Sequence, residues 1–320
     1  MQNIRVNSLK AWVLATRPKT LTGAMIPVLL AGALAYRAGA FSQTELLQGA
    51  VPFGTPWLHG LLWLCCLLFA CLMQIAANLI NDLFDFLKGS DREDRLGPER
   101  ACAQGWITPS AMKIGIAVTI VLACIVGLLA VMLCQSYLPF GGLEYILMGV
   151  LCVVFAFLYT TRLSYMGWGD MLVLVFFGFV PVCGTYYLQT LSLTPSACVL
   201  SLISGIAIDA LLMINNYRDC EQDRLSGKQT IVVRFGKPFG LVVYLAIGIV
   251  VTLLAVALIL MLSIHPSISC LLLLVYPVLH VQAWRKMSCQ SGKALNAILG
   301  ETSRNMFLMA LCLALVLVSA

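Results

Sequence analysis

Charge is what this chain has least of. Only 11% of its 320 residues are charged, against 61% hydrophobic, and the mean hydropathy is +0.94. A soluble fold is thereby excluded, because at about 25 cal/mol per Å² the apolar surface left in water would outweigh the stability of any domain. Histidine is nearly absent, at His59, His265 and His280, and none lies near the acidic passages described below, which argues against zinc or iron. The thirteen cysteines form no CxxC pair and no Cys/His metal spacing, and read as small apolar filler in a reducing setting. The period-two alternation of a membrane barrel is also missing, so spanning segments must be helices that satisfy their own backbone.

What is present is a series of apolar windows, each about 20 residues long. Nine can be drawn, near 20–36, 57–80, 111–133, 143–160, 169–189, 196–215, 239–263, 267–283 and 301–319. Of the 20 Lys and Arg residues, only Arg37 falls in an odd-numbered gap. By the positive-inside rule the N-terminus and the even-numbered gaps are cytoplasmic. The net charge of +6 therefore marks orientation in a membrane and implies no nucleic-acid partner. A polar start up to about Ala11 followed by a long apolar run predicts a retained first segment instead of a cleaved signal. Residues 1–320 are expected to form one integral membrane domain, an all-α multi-span bundle of about nine helices.

Against that background the acids are concentrated. Six of the fourteen acidic residues, Asp82, Asp85, Asp91, Glu93, Asp94 and Glu99, follow the second apolar window, in and just after "NDLFDFLKGSDREDR". A second passage, "NNYRDCEQDRLSGKQT" from Asn215, follows the sixth window. Residues three, four and seven apart share a helix face. Gln74, Asn78, Asn81, Asp82 and Asp85 make one such polar stripe, and Asn215, Asp219 and Asp223 another, with Asn216 alongside and Asp209 two turns deeper. Each passage carries Asp four residues after an Asn (Asn81 to Asp85, Asn215 to Asp219) and then "DRLG" or "DRLSG", as an internal duplication would. Both windows run inward, so the two clusters emerge on one face. Oxygen-only clusters of this kind suit Mg²⁺, which keeps waters and bridges carboxylates to phosphates. The plainer alternative, loop acids paired with nearby Lys and Arg, fits Glu93, Asp94 and Glu99 best.

Taken together, the paired motifs "NDLFDFLKGSD" and "NNYRDCEQD", "TRPKTL" from Thr16 to Leu21, and the span count resemble the UbiA-type intramembrane prenyltransferases over nearly the whole chain. "KGSDREDRLGPER", "GTYYLQ" and "NNYRDCEQDRLSGKQT" resemble the branch of that family that prenylates 1,4-dihydroxy-2-naphthoate in menaquinone synthesis. Two features depart from the branch: "YTTRL" from Tyr159 replaces a Gly-Pro-Pro-like turn, and Asp170 in "GWGD" stands where Glu is more usual.

The resemblance implies an enzyme that moves a polyprenyl group from its diphosphate to the naphthoate, releasing CO₂ and diphosphate, in the bacterial inner membrane. It implies Mg²⁺, two ions, held by Asp82, Asp85 and Asp91 on one side and Asp219 and Asp223 on the other. Arg17, Lys19, Arg95, Arg218 and Lys228 are expected to neutralise the diphosphate. Asn78, Asn81, Asn215 and Asn216 are expected to orient the carboxylates or bind substrate. Tyr159 is expected to act at the reacting centre, whereas Tyr165 and Tyr186 are expected to be interfacial anchors. The other readings left open are a different aromatic acceptor, such as 4-hydroxybenzoate, and a cation- or proton-coupled transporter, which intramembrane acids also suit.

Overall fold

The computed structural model describes residues 4–42, 55–89, 95–265 and 271–319. The described chain is helical, with no strand. It runs α1 (Leu9–Ala15), a 3₁₀ turn (Pro18–Thr20), α2 (Leu21–Arg37), α3 (Pro56–Leu87), α4 (Pro109–Cys134) and α5 (Leu143–Leu158). A π-helical turn (Tyr159–Leu163) leads to α6 (Gly169–Leu174), and a second one (Val175–Phe179) to α7 (Val180–Thr190). There follow α8 (Pro195–Leu225), α9 (Ile231–Phe235), α10 (Lys237–Met261), α11 (Val275–Cys289) and α12 (Leu295–Ser319).

A Thr-Pro pair starts α3, α4 and α8. Thr55, Thr108 and Thr194 each accept a hydrogen bond from the backbone N–H three residues on, and the proline that follows has no N–H to leave unpaired. Eight helical segments among the described residues are long and apolar enough to cross a membrane, consistent with an integral membrane protein. The expected span at 267–283 overlaps α11, whose 15 residues reach about 22 Å and end six residues beyond that window; residues 266–270 lie outside the described residues.

Two helices overrun their apolar windows. Those windows end at residues 80 and 215, yet α3 continues to Leu87 and α8 to Leu225. At 32 and 31 residues, each is nearly 50 Å long, against about 30 Å of hydrocarbon. The final turns therefore stand clear of the apolar layer, and those turns carry the acids.

Helix α8 packs against α2, α6, α7, α10 and α12, so it forms the centre of the bundle. Its apolar window is 61% buried, as is that of Leu9–Arg37, whereas Leu143–Leu163 is only 6% buried and faces outward. Ile26 and Leu30 of α2 meet Leu200, Ile203, Met213 and Ile214 of α8 in the core. On the outside, α4 exposes Ile114, Val118, Val121 and Ile125, a surface suited to lipid.

A close helix approach joins the end of α6 and the second π turn to α8. A Cβ on Gly178 would stand 2.6 Å from the Ser201 carbonyl oxygen, and one on Gly205 would stand 2.8 Å from Leu174 Cδ1. Ser204 Oγ donates to the Phe177 carbonyl at 2.7 Å, which satisfies a backbone acceptor at the irregular turn. Gly178→Val must push α8 away from this turn, an overpacking that costs about 1–3 kcal/mol. The variant in detergent is expected to unfold at a lower temperature than the parent, and an unchanged melting curve would count against this packing.

Candidate active site

At the end of α3 the acids are already occupied. Asp82, 1% exposed, accepts the backbone N–H of Ala101 at 2.8 Å through one oxygen and that of Cys102 at 2.9 Å through the other. It thus holds the returning loop against α3. Asp85 pairs with Arg100 at 2.5 Å, and Arg100 also donates to the Asn81 carbonyl. The Asn81 side-chain oxygen accepts from the Thr160 hydroxyl, which ties α3 to the first π turn.

Asn78 lies one turn deeper and faces the N-terminal segment. Its amide nitrogen donates to the Thr16 carbonyl and to the Thr20 hydroxyl, both at 2.9 Å, and Gln74 donates to its oxygen at 3.3 Å. Between those two threonines Arg17 takes a left-handed conformation, with φ of 50°. That turn carries its guanidinium inward, where Nη2 is sealed from solvent and has no hydrogen-bond partner. Arg100, Asp82, Arg95 and Asp85 all lie within electrostatic reach of it. Lys19, by contrast, is exposed at the rim.

The second motif shows the same pairing of acid with cation. Arg218 grips its neighbour Asp219 with two hydrogen bonds of 2.7 and 2.6 Å and donates a third, of 2.7 Å, to Asn296 of α12. Asn296 in turn donates to the Leu96 carbonyl at 2.8 Å. A Cβ on Gly97 would lie 3.0 Å from Arg218 and 3.2 Å from Arg95. The segment that follows the first motif is thereby pressed against the second, so the two acidic passages meet at one end of the bundle. Asn215 stands one helical turn before Asp219 on the same face, and Asn216 beside it is buried.

Tyr165 makes the link from the other side. Lys88, which caps α3, sits 4.4 Å from its ring, and Lys228 sits 5.5 Å from the same ring. Lys228 pairs with Asp223 at 3.4 Å, and Lys88 donates to the carbonyls of Thr160 and Thr161. Tyr165, expected to anchor at an interface, therefore stands between the two motifs. Tyr159 opens the first π turn, within electrostatic reach of Asp170, Asp209, Asp223 and Asp85. Such turns recur at functional sites because they redirect one side chain.

Asp91 falls outside the described residues, as do Glu93 and Asp94. Among the described residues no three His, Cys, Asp or Glu converge on one metal position. The donor set of Asp85, Asp219 and Asp223 is nonetheless all oxygen. It fits a hard divalent ion that takes the rest of its ligands from water and phosphate. Asp82 fits that role less well, since both its oxygens accept backbone donors, and Asn78 is committed to the N-terminal turn.

Several partners escape a sequence reading. Asn296 sits in no motif, and Lys88, Arg100 and Thr160, although inside quoted stretches, carry no expected site role. Their partners lie across loops, where no periodicity applies.

A model of the UbiA prenyltransferase family matches residues 24–311. A 1,4-dihydroxy-2-naphthoate octaprenyltransferase of Escherichia coli (strain K12) is 34% identical over 312 residues, 96% of this chain and 95% of that protein. One of Haemophilus influenzae is 37% identical over 235 residues, 71% of this chain and 70% of that protein. A solved UbiA homolog from Archaeoglobus fulgidus, bound to DMAPP and Mg²⁺, superposes with a TM-score of 0.56 over 97% of this chain and 99% of that one. At 11% identity this last likeness concerns the fold alone.

The contrast between Asp82 and Asp219 is measurable. Asp82→Ala strands two buried backbone donors, at about 1–3 kcal/mol each, and is expected to lower the unfolding temperature clearly. Asp219→Asn leaves Arg218 its bond to Asn296 and is expected to shift that temperature far less. Equal shifts would refute the distinction.

Proposed function

The chain belongs to the UbiA prenyltransferase family, and from that premise we propose that it transfers a polyprenyl group to 1,4-dihydroxy-2-naphthoate. The products are diphosphate, CO₂ and demethylmenaquinol. That the protein is a prenyltransferase follows from its family and its relatives; the acceptor and the residue roles are the proposal. Residues 1–320 act as one domain, in the bacterial inner membrane with the acidic end cytoplasmic, a placement supported by the Lys and Arg distribution along the chain.

Arg17 carries the assignment of the diphosphate site. A sealed guanidinium nitrogen without an acceptor costs at least about 1–3 kcal/mol, and an arriving phosphate oxygen removes that cost. Arg95, Arg218 and Lys228 line the same end, with Lys19 at the rim. Charge accumulates on the diphosphate as the carbon–oxygen bond breaks, so cations placed there stabilise the transition state more than the ground state.

Asp85, Asp219 and Asp223, with Asp91, would hold Mg²⁺, as two ions. When bound, Mg²⁺ supplies further charge neutralisation at the leaving group. Each described member of this set rests on a cation of its own, Arg100, Arg218 or Lys228. The acids are thus kept charged and in place before substrate arrives. Asn215 and Asn216 add neutral oxygens beside Asp219, and Asn81 positions Thr160 and the π turn. Asp82 and Asn78 act one step away, by fixing the loop after Arg100 and the turn that aims Arg17.

The prenyl tail lies among apolar helices that exclude water, which protects the allylic cation until the aromatic carbon reaches it. Tyr159, between the diphosphate end and the deeper carboxylates, offers its ring face to that cation.

Purified protein given a polyprenyl diphosphate, dihydroxynaphthoate and Mg²⁺ is expected to yield a decarboxylated, prenylated naphthoquinol by mass spectrometry. Release of diphosphate with no aromatic product would remove the acceptor assignment. EDTA is expected to stop the reaction and added Mg²⁺ to restore it. Asp85→Ala and Asp219→Ala are expected to lose turnover while remaining folded, and near-normal rates in either would end the metal assignment. Arg17→Gln is expected to lower kcat/KM by about 10- to 100-fold, the worth of one charge-assisted hydrogen bond. An unchanged value would place the diphosphate elsewhere.

A further inference from the structure

Arg17, Arg95 and Arg218 arrive on three separate stretches of chain, and one side of α12 touches all three stretches. Asn296 accepts from Arg218 at 2.7 Å through its amide oxygen and donates to the Leu96 carbonyl at 2.8 Å through its amide nitrogen. Ser303 follows two turns later on the same side of the helix. Its hydroxyl lies 2.8 Å from that of Thr22 and donates to the Lys19 carbonyl at 3.3 Å. Asn296 thus holds the second motif to the segment after the first, and Ser303 holds the turn that carries Arg17.

These contacts bring two guanidiniums together. A Cβ on Gly97 would lie 3.0 Å from Arg218 Nη2 and 3.2 Å from Arg95 Nη2, so the two nitrogens are separated by no more than the sum of those distances. Arg95 also lies within electrostatic reach of Arg17, which makes it the neighbour that Arg17 and Arg218 share. Like charges at such a spacing repel, and an anion that reaches both removes the repulsion. Gly97 has no positive φ, so its backbone conformation suits any residue. What glycine supplies here is the absence of a side chain beneath the two guanidiniums.

We infer that Asn296 and Gly97 are positioning residues that set the spacing of Arg95 and Arg218 for the diphosphate. The inference rests on the diphosphate-site reading given above. Asn296 suits the task because an amide carries an acceptor and a donor on one planar group. A carboxylate there would face the Leu96 carbonyl with a second acceptor, and an aliphatic side chain would satisfy neither neighbour. Arg218 gives its Nε and Nη2 to Asp219 and its Nη1 to Asn296, so three bonds from two helices fix the plane of the guanidinium. Nη2 carries a second N–H, and this is the nitrogen that stands over Gly97 beside Arg95. Asn296 and Gly97 act on the diphosphate through those two arginines.

The test uses the full-length protein in detergent, with inorganic pyrophosphate and Mg²⁺ as the probe and titration calorimetry as the readout. Gly97→Ala removes no side-chain hydrogen bond and displaces only the ends of two flexible side chains. It is expected to melt with the parent, yet to bind pyrophosphate about 3- to 10-fold more weakly. Asn296→Leu is expected to weaken binding about 10-fold, and to add clearly less when combined with Arg218→Gln, because it acts through that arginine. In steady-state kinetics both variants are expected to raise the KM for the prenyl diphosphate and to leave that for the aromatic acceptor within about twofold, a split that general loosening of the bundle does not produce. Parent-like pyrophosphate affinity in Gly97→Ala, a matching rise in both KM values, or full additivity of Asn296→Leu with Arg218→Gln would overturn the inference. Gly97→Ala decides it even where Asn296→Leu fails to fold. A parent that binds no magnesium pyrophosphate would end the diphosphate-site reading as well, whereas a binding parent with insensitive variants ends the positioning role alone.

Discussion

A carboxylate at the edge of a membrane bundle must have its charge answered, and that constraint organises the functional end of this protein. Asp82 is met by two backbone N–H groups, Asp85 by Arg100, Asp219 by Arg218 and Asp223 by Lys228. Exposed ion pairs contribute little, but these are largely withdrawn from water; Arg218 and Arg100 have side chains only 3% and 8% exposed. Removing one partner from such a pair costs most where the other keeps no hydrogen-bond acceptor, and less where one remains, as Asn296 does for Arg218 and the Asn81 carbonyl for Arg100. The pairs therefore work as fasteners, and their positions decide which segments of chain come together.

The fasteners bind parts that are far apart in sequence. Arg218 and Asn296 join α8 to α12 and to the Leu96 carbonyl beyond the first motif. Arg100 folds the loop back on α3. Tyr165, between Lys88 and Lys228, closes the opposite side. The result is a rim of balanced charge around the inward-turned Arg17, whose Nη2 stays unpartnered. A site in which the acids are balanced while one buried donor stays open is suited to an incoming polyanion, because binding then adds an interaction without first breaking several.

Depth separates the two halves of the chemistry. Long helices lift the motif acids beyond the apolar layer, where an anionic headgroup and its counter-ions are tolerated. Asp209 lies about 15 Å deeper along α8 than Asp219. Tyr159, placed by a π turn between the two levels, belongs to both. The tight contact of Gly178 and Gly205 with their neighbours keeps α6, α7 and α8 in the register that this layering requires.

Much of this was legible beforehand. Apolar windows located the helices, because hydropathy is a local property and lipid selects for it residue by residue. The register of Asn78, Asn81, Asp82 and Asp85 on one face, and of Asn215, Asp219 and Asp223 on another, followed from helical geometry alone. Where the helices end did not follow, since α3 and α8 carry on through polar residues that a hydropathy window reads as loop. The division of labour within a stripe was likewise hidden. Asp82 and Asp85 look equivalent in the motif, yet one holds a loop and the other meets a guanidinium. Asn78 donates to the Thr16 carbonyl and the Thr20 hydroxyl on either side of Arg17. Those outcomes depend on partners such as Arg100, Thr20 and Asn296, which only chain folding over many residues can bring near. Sequence by itself thus determined the solvent, the helices and the kind of chemistry, because these rest on residue type and short-range period. Tertiary structure decided which acid is free to act, because a charge takes its role from whatever neighbour neutralises it.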